Sequence, residues 1–191
     1  MILIGLGVLG FVLLFVADYC GLRDKCVYKN LSAFSGTFLI IILSVVILTQ
    51  GYNYELPLSI RMISFAFTLL FLLMMIYSIV IEVSKNNSEK KLITTGTYAL
   101  SRHPGVLWFL LYYVFGSFVF ADYMILIAGI VWTIVNIVYV VFQERFIFKA
   151  LFDNYEEYKQ STPMIIPTRS SVQKCLKTIN GGEHEKLTRN A

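Results

Sequence analysis

Five long apolar runs constrain this chain more than any other feature: residues 2–17, 31–50, 58–83, 104–121 and 123–142. Roughly 17 to 25 mainly apolar residues make the unit that crosses a bilayer as a helix. In lipid the backbone has no water to bond to, so a spanning segment is a helix or part of a closed barrel, and these runs lack the alternation of a barrel strand. With 57% of its 191 residues hydrophobic and 15% charged, the chain has no soluble globular composition. The expected fold class is all-α integral membrane, with five transmembrane helices. The first run has no basic segment before it, and Asp18-Tyr19 before Cys20 spoils both a cleavage site and a lipoprotein cysteine, so it reads as a retained span. Gly5, Gly7 and Gly10 give that span small positions, without the spacing of a dimerisation motif.

Basic residues set the expected orientation. Arg23, Lys25 and Lys29 follow the first run, Lys85, Lys90, Lys91 and Arg102 lie between the third and fourth, and eight more follow the fifth. The intervening connections carry none, which by the positive-inside rule puts the N-terminus outside and the C-terminus in the cytoplasm. The net charge of +4 follows from this bias, and no basic face with interleaved aromatics points to nucleic acid. Three cysteines without C-x-x-C spacing and only two histidines, His103 and His184, argue against a disulfide framework or a metal centre.

The polar stretch between the third and fourth runs, Thr95 to Pro104, is the focus of the chain. Pro104 disfavours α geometry at His103 and suits the first position of a helix, so a helix is expected to start there. Its N-terminal N–H groups, dipole and Arg102 would converge on one spot suited to an anion. The competing reading is that Pro104 simply starts a helix and Arg102 marks a membrane boundary. Glu82 ends the third run nearby, as a solvated helix end or something more. Little more than Asp122 separates the last two runs, which predicts an antiparallel helical hairpin. Residues 143–160 follow as an amphipathic segment, and Pro163 and Pro167 then bracket Met164-Ile165-Ile166, a short apolar piece able to fold back. The expected division is 1–83 as a three-helix scaffold, 84–167 as the functional core, and 168–191 as a polar, disordered tail.

Two motifs carry a resemblance: Gly96-x-Tyr98-x-x-x-Arg102-His103-Pro104, and Glu144 followed in register by Tyr155-x-x-Tyr158 and a Pro-apolar-Pro ending. This ordered set resembles the integral-membrane methyltransferases typified by isoprenylcysteine carboxyl methyltransferase and its bacterial relatives, over about residues 90–167. The resemblance implies an S-adenosylmethionine-dependent enzyme acting at the cytoplasmic face on a hydrophobic, lipid-like acceptor bearing a carboxylate, thiol or amine. It implies cofactor contacts from Leu92, Ile93, Tyr98, His103, Pro104 and Glu144, with Tyr155 and Tyr158 available to flank adenine or the sulfonium, and a catalytic part for Arg102 and Glu144. No metal and no nucleic acid are implied; the partners are the acceptor and membrane lipid.

The chain departs from the family pattern where a Tyr is expected and Val106 stands, where Trp108 replaces a Gly, at Gln143 in place of the first acidic residue, and at Leu151-Phe152 in place of Phe-Gly. Two other readings stay open. Sterol reductases and related membrane enzymes share an R-H-P-containing half and use NADPH. A non-catalytic relative would bind a ligand or a partner membrane protein, the reading that Val106 favours.

Overall fold

The computed structural model describes residues 1–23, 26–49, 53–86 and 92–179. Among these the regular structure is entirely helical. Helices α1 (Ile2–Leu22), α2 (Cys26–Leu48) and α3 (Leu58–Ile76) follow the first three apolar runs. The third continues through a π-helical stretch, Tyr77–Glu82, into a last turn, Val83–Asn86. After a single turn, α4 (Thr97–Leu100), come α5 (Pro104–Val119) and α6 (Tyr123–Phe142). Helix α6 also runs on as a π-helical stretch, Gln143–Phe148, and a turn, Lys149–Leu151. Two shorter helices close the described chain, α7 (Tyr155–Ser161) and α8 (Arg169–Ile179).

Among the described residues four helices are long and apolar enough to cross a membrane: Ile2–Leu22, Val27–Leu48, Leu58–Glu82 and Tyr123–Leu151. The protein is therefore an all-α membrane protein. Helix α5, on the run expected to be a further span, has 16 residues. At 1.5 Å per residue that is about 24 Å, short of the roughly 30 Å hydrocarbon core. It begins at Pro104 as the sequence predicts, with Val106 N–H turning back to the His103 carbonyl at 3.1 Å.

The chain divides into two compact units, each built from two segments: Met1–Phe71 with Phe109–Ile147, and Leu72–Trp108 with Phe148–Ala191. The boundary expected near residue 83 falls inside the second unit. The first unit is held by small residues and rings. A Cβ on Gly7 would lie 2.1 Å from the Trp132 indole, and one on Gly129 would lie 2.2 Å from the Tyr113 Cβ. Trp132 and Tyr113 pack edge to face at 5.6 Å, and the Trp132 indole N–H donates to the Ile4 carbonyl at 2.8 Å. Helices α1 and α2 touch at Gly10 and Gly36: a Cβ on Gly36 would lie 2.6 Å from the Gly10 carbonyl oxygen, and one on Gly10 would lie 2.6 Å from the Ile40 side chain and 3.1 Å from the Gly36 carbonyl oxygen. These are the contacts that let helices approach where lipid competes equally well for apolar surface.

Two expectations need correction. The segment 143–160 is not one amphipathic helix: it breaks at Phe152, which is extended, and helix resumes at Tyr155. Phe148 meets Phe152 one turn on at 6.2 Å, and across the break it meets Tyr155 at 5.5 Å. The polar tail expected to be disordered from Thr168 contains α8, whose Ser171 and Cys175 are buried. Its stripe of apolar positions is diluted by Lys, Ser and Gln, which hides it from composition.

Candidate functional site

The second unit is organised around a buried carboxylate. Glu82 is 5% exposed, at the last position of the π-helical stretch. Its Oε1 accepts the Thr97 N–H at 2.9 Å, and its Oε2 accepts the Thr97 hydroxyl. One turn earlier, on the same helix face, buried Ser78 donates to the Met74 carbonyl at 2.9 Å. The same Ser78 oxygen accepts the Trp108 indole N–H at 3.0 Å and lies 3.1 Å from the Thr97 hydroxyl. Gly96 makes the approach possible. Its φ is +59°, and a Cβ there would sit 1.9 Å from Glu82 Oε1, so both the backbone and the carboxylate exclude a side chain. The Gly96 N–H donates to Thr178 Oγ1 of α8 at 3.0 Å.

The next residues pair with the segment between the two prolines. Ser101 is extended and fully buried; its hydroxyl donates to the Met164 carbonyl at 2.8 Å. Arg102 N–H donates to the Pro163 carbonyl at 2.9 Å and His103 N–H to the Met164 carbonyl at 3.0 Å. The Pro163–Pro167 segment thus folds back, as its composition predicts, and what it closes over is the backbone of Ser101 to His103. Arg102 is buried, and its Nη1 donates to the Lys159 and Thr162 carbonyls at 2.8 and 2.5 Å. These oxygens stand at the C-terminal end of α7, where a cation meets both unsatisfied carbonyls and the negative dipole end. The backbone donors and the guanidinium that the sequence offers to an anion are, at these atoms, engaged by the protein's own carbonyls.

The aromatic residues of the two motifs lie in this unit too. The His103 ring stacks on Phe148 at 5.9 Å and 17°, Phe148 meets Tyr155 at 5.5 Å, and Tyr155 meets Tyr158 at 6.2 Å. Tyr155 and Tyr158 are buried, and the Tyr158 hydroxyl donates to the Tyr98 carbonyl at 2.6 Å, tying α7 to α4. Tyr98 is half-buried, as are Leu92 and Ile93, whereas Pro104 is fully buried. Burial, with the Glu82 charge second, pushes the Tyr98 phenol up to about 12. The same two causes in the same order raise the Cys175 thiol. Both groups therefore stay protonated near neutral pH, and a buried, protonated thiol is a poor nucleophile.

Glu144 belongs to the first unit, half-buried in the π-helical stretch after α6. There its neighbour Gln143 donates to Asp18 Oδ2 at 2.7 Å and to the Tyr139 hydroxyl at 2.9 Å, while Tyr139 donates to the same carboxylate oxygen at 2.7 Å. This accounts for the motif departure at Gln143, because a glutamate would set a second carboxylate against Asp18. Sequence reasoning missed Ser78, Thr97, Trp108 and this Asp18 group, and gave Glu82 no role in the site. The available signal was an acidic residue ending an apolar run ahead of a Gly-Thr turn. Among the described residues no three His, Cys, Asp or Glu side chains group as metal ligands would. No family model, curated protein or solved structure matches this chain.

Proposed function

We propose that this protein is a membrane methyltransferase that uses S-adenosylmethionine to methylate a hydrophobic, lipid-like acceptor bearing a carboxylate, thiol or amine. The observation that carries the reading is the motif pair, Gly96-x-Tyr98-x-x-x-Arg102-His103-Pro104 and Glu144 with Tyr155-x-x-Tyr158, in the order and spacing of the isoprenylcysteine-type methyltransferases. Support comes from the second unit, where Tyr98, His103, Tyr155 and Tyr158 are joined by ring contacts and the Tyr158–Tyr98 hydrogen bond. Glu144 is a proposed contact on the strength of the motif alone.

Such a cofactor asks little of the protein's donors. When bound, S-adenosylmethionine supplies a methyl group already activated by its sulfonium, so the protein needs to position and keep dry more than to supply acid or base. In this arrangement Arg102 is a positioning residue that holds the end of α7. Tyr98 stays a neutral hydroxyl that cannot compete for the methyl group, and protonated Cys175 likewise does not intercept it. His103 presents a ring already fixed against Phe148. A carboxylate or thiolate acceptor would need no general base; an amine would lose its proton to solvent after transfer.

In this reading α5 is the fifth, shorter membrane helix, in a hairpin with α6 across Asp122, whose side chain caps α6 by accepting the Met124 N–H at 2.7 Å. The basic connections face the cytoplasm, so the Gly96 turn lies on that side. The NADPH alternative is less well supported, because Arg102, the basic residue that would meet a 2′-phosphate, already holds two carbonyls.

The test is methyl transfer by the purified chain in lipid nanodiscs, using methyl-labelled S-adenosylmethionine and a membrane lipid extract. Label entering the organic-soluble fraction, and suppressed by excess S-adenosylhomocysteine, is the expected result. Oxidation of NADPH without methyl incorporation would replace the reading by the reductase. Neither activity in folded protein would leave a binding role, to which buried Val106 at the motif tyrosine position is suited.

A further inference from the structure

Helix α8 has two faces that call for different neighbours. Ser171, Cys175 and Thr178, spaced i, i+4 and i+7, form its inner face: the first two are buried and Thr178 accepts the Gly96 N–H at 3.0 Å. Val172, Leu176 and Ile179 repeat that spacing one residue later, about 100° further round the helix. They are 40, 56 and 64% exposed. Arg169 borders this apolar stripe on its far side, with Gln173, Lys177 and Lys174 beyond it, and the helix contains no acidic residue. Ile166, just before the helix, is 78% exposed.

We infer that α8 lies in the interface of an anionic membrane leaflet, with Val172, Leu176 and Ile179 in the acyl boundary and Arg169, Lys174 and Lys177 among the headgroups. Three observations select lipid as the occupant. The helix belongs to a chain in which four of the described helices are long and apolar enough to cross a membrane, so a leaflet is within reach. Its eleven residues, about 16 Å, are too few to cross that leaflet's bilayer and suit lying along it. Its charge is wholly basic and borders the apolar stripe, which is the pattern that anionic headgroups attract. The inference does not depend on methyl transfer.

The test uses the full-length chain in phosphatidylcholine vesicles with and without phosphatidylglycerol. Single nitroxide labels are placed through Gln173→Cys, Leu176→Cys and Ile179→Cys, with Cys20, Cys26 and Cys175 replaced. Labels at 176 and 179 should collide with oxygen and be protected from an aqueous nickel chelate, while the label at 173 stays open to the chelate. Phosphatidylglycerol should deepen the protection at 176 and 179, and the double change Arg169→Gln, Lys177→Gln should remove that deepening. Chelate access at all three positions in both lipids would overturn the inference, and so would protection from both reagents, which marks a protein contact. Should replacement of buried Cys175 unfold the helix, Leu176→Trp in the otherwise native chain gives the same reading: brominated phospholipid should quench its added fluorescence, and absence of quenching overturns the inference.

Discussion

Each of the two units is held by a different balance of contacts. In the first, close approach does the work: Gly7 under Trp132, Gly129 under Tyr113, and Gly10 against Gly36. In the second, buried polar groups do it: Glu82 on Thr97, Trp108 on Ser78, Arg102 on the end of α7, and Tyr158 on Tyr98. The difference follows from backbone geometry. Continuous helices satisfy their own backbone and pack by shape with a few polar side-chain ties, such as Tyr139 and Gln143 on Asp18, whereas the turn at Gly96 and the extended Ser101–His103 segment expose N–H and C=O groups that must find partners. Irregular backbone is where polar side chains become obligatory, and Gly96, Arg102 and His103 of the first motif lie on it.

The strongest way to break this contrast is Glu82→Leu. It strands the buried Thr97 N–H, at about 1 to 3 kcal/mol for a lost partner, leaves the Thr97 hydroxyl with Ser78 in place of a charged acceptor, and should cost about 3 to 4 kcal/mol overall. Thermal unfolding in detergent should show the largest fall of any variant considered, with Glu82→Gln intermediate because its amide oxygen can still accept. Next is Gly7→Ala, which drives a methyl into the Trp132 indole and should cost up to about 3 kcal/mol. Gly5→Ala, where a Cβ meets nothing within 4 Å, is the matched control and should be close to neutral.

Alkali probes the second unit through Tyr98. The Tyr98 phenol, raised from 10.0 to about 12, binds its proton more tightly in the folded protein. Its contribution is therefore complete below pH 10 and lost as pH rises through 12, an effect of about 2 kcal/mol. Unfolding followed across that range should be less steep in Tyr98→Phe. The smallest effect belongs to Tyr158→Phe, which removes one hydrogen bond to the Tyr98 carbonyl and should cost about 1 kcal/mol.

What the sequence reveals divides along the same line. Helices α1, α2, α3 and α6 are legible because apolar length alone dictates them, and Pro104 marks the start of α5 through local sterics. Arg102 stands out in the sequence as a charge ahead of an apolar run, but its partners, the Lys159 and Thr162 carbonyls, are backbone atoms 57 and 60 residues away and carry no sequence signature. Glu82 and Thr97 are ordinary residues until Gly96 takes a positive φ and brings them together. Helix α8 was hidden because its stripe is only three residues long within a basic, serine-containing segment.

The proposal that this chain binds a sulfonium nucleoside is tested most directly by calorimetric titration of S-adenosylhomocysteine into the purified chain in detergent. The account predicts saturable binding that Glu144→Ala abolishes while the unfolding temperature is retained, with no heat from NADPH. Binding of NADPH alone, or no binding of either by protein shown to be folded, would contradict it.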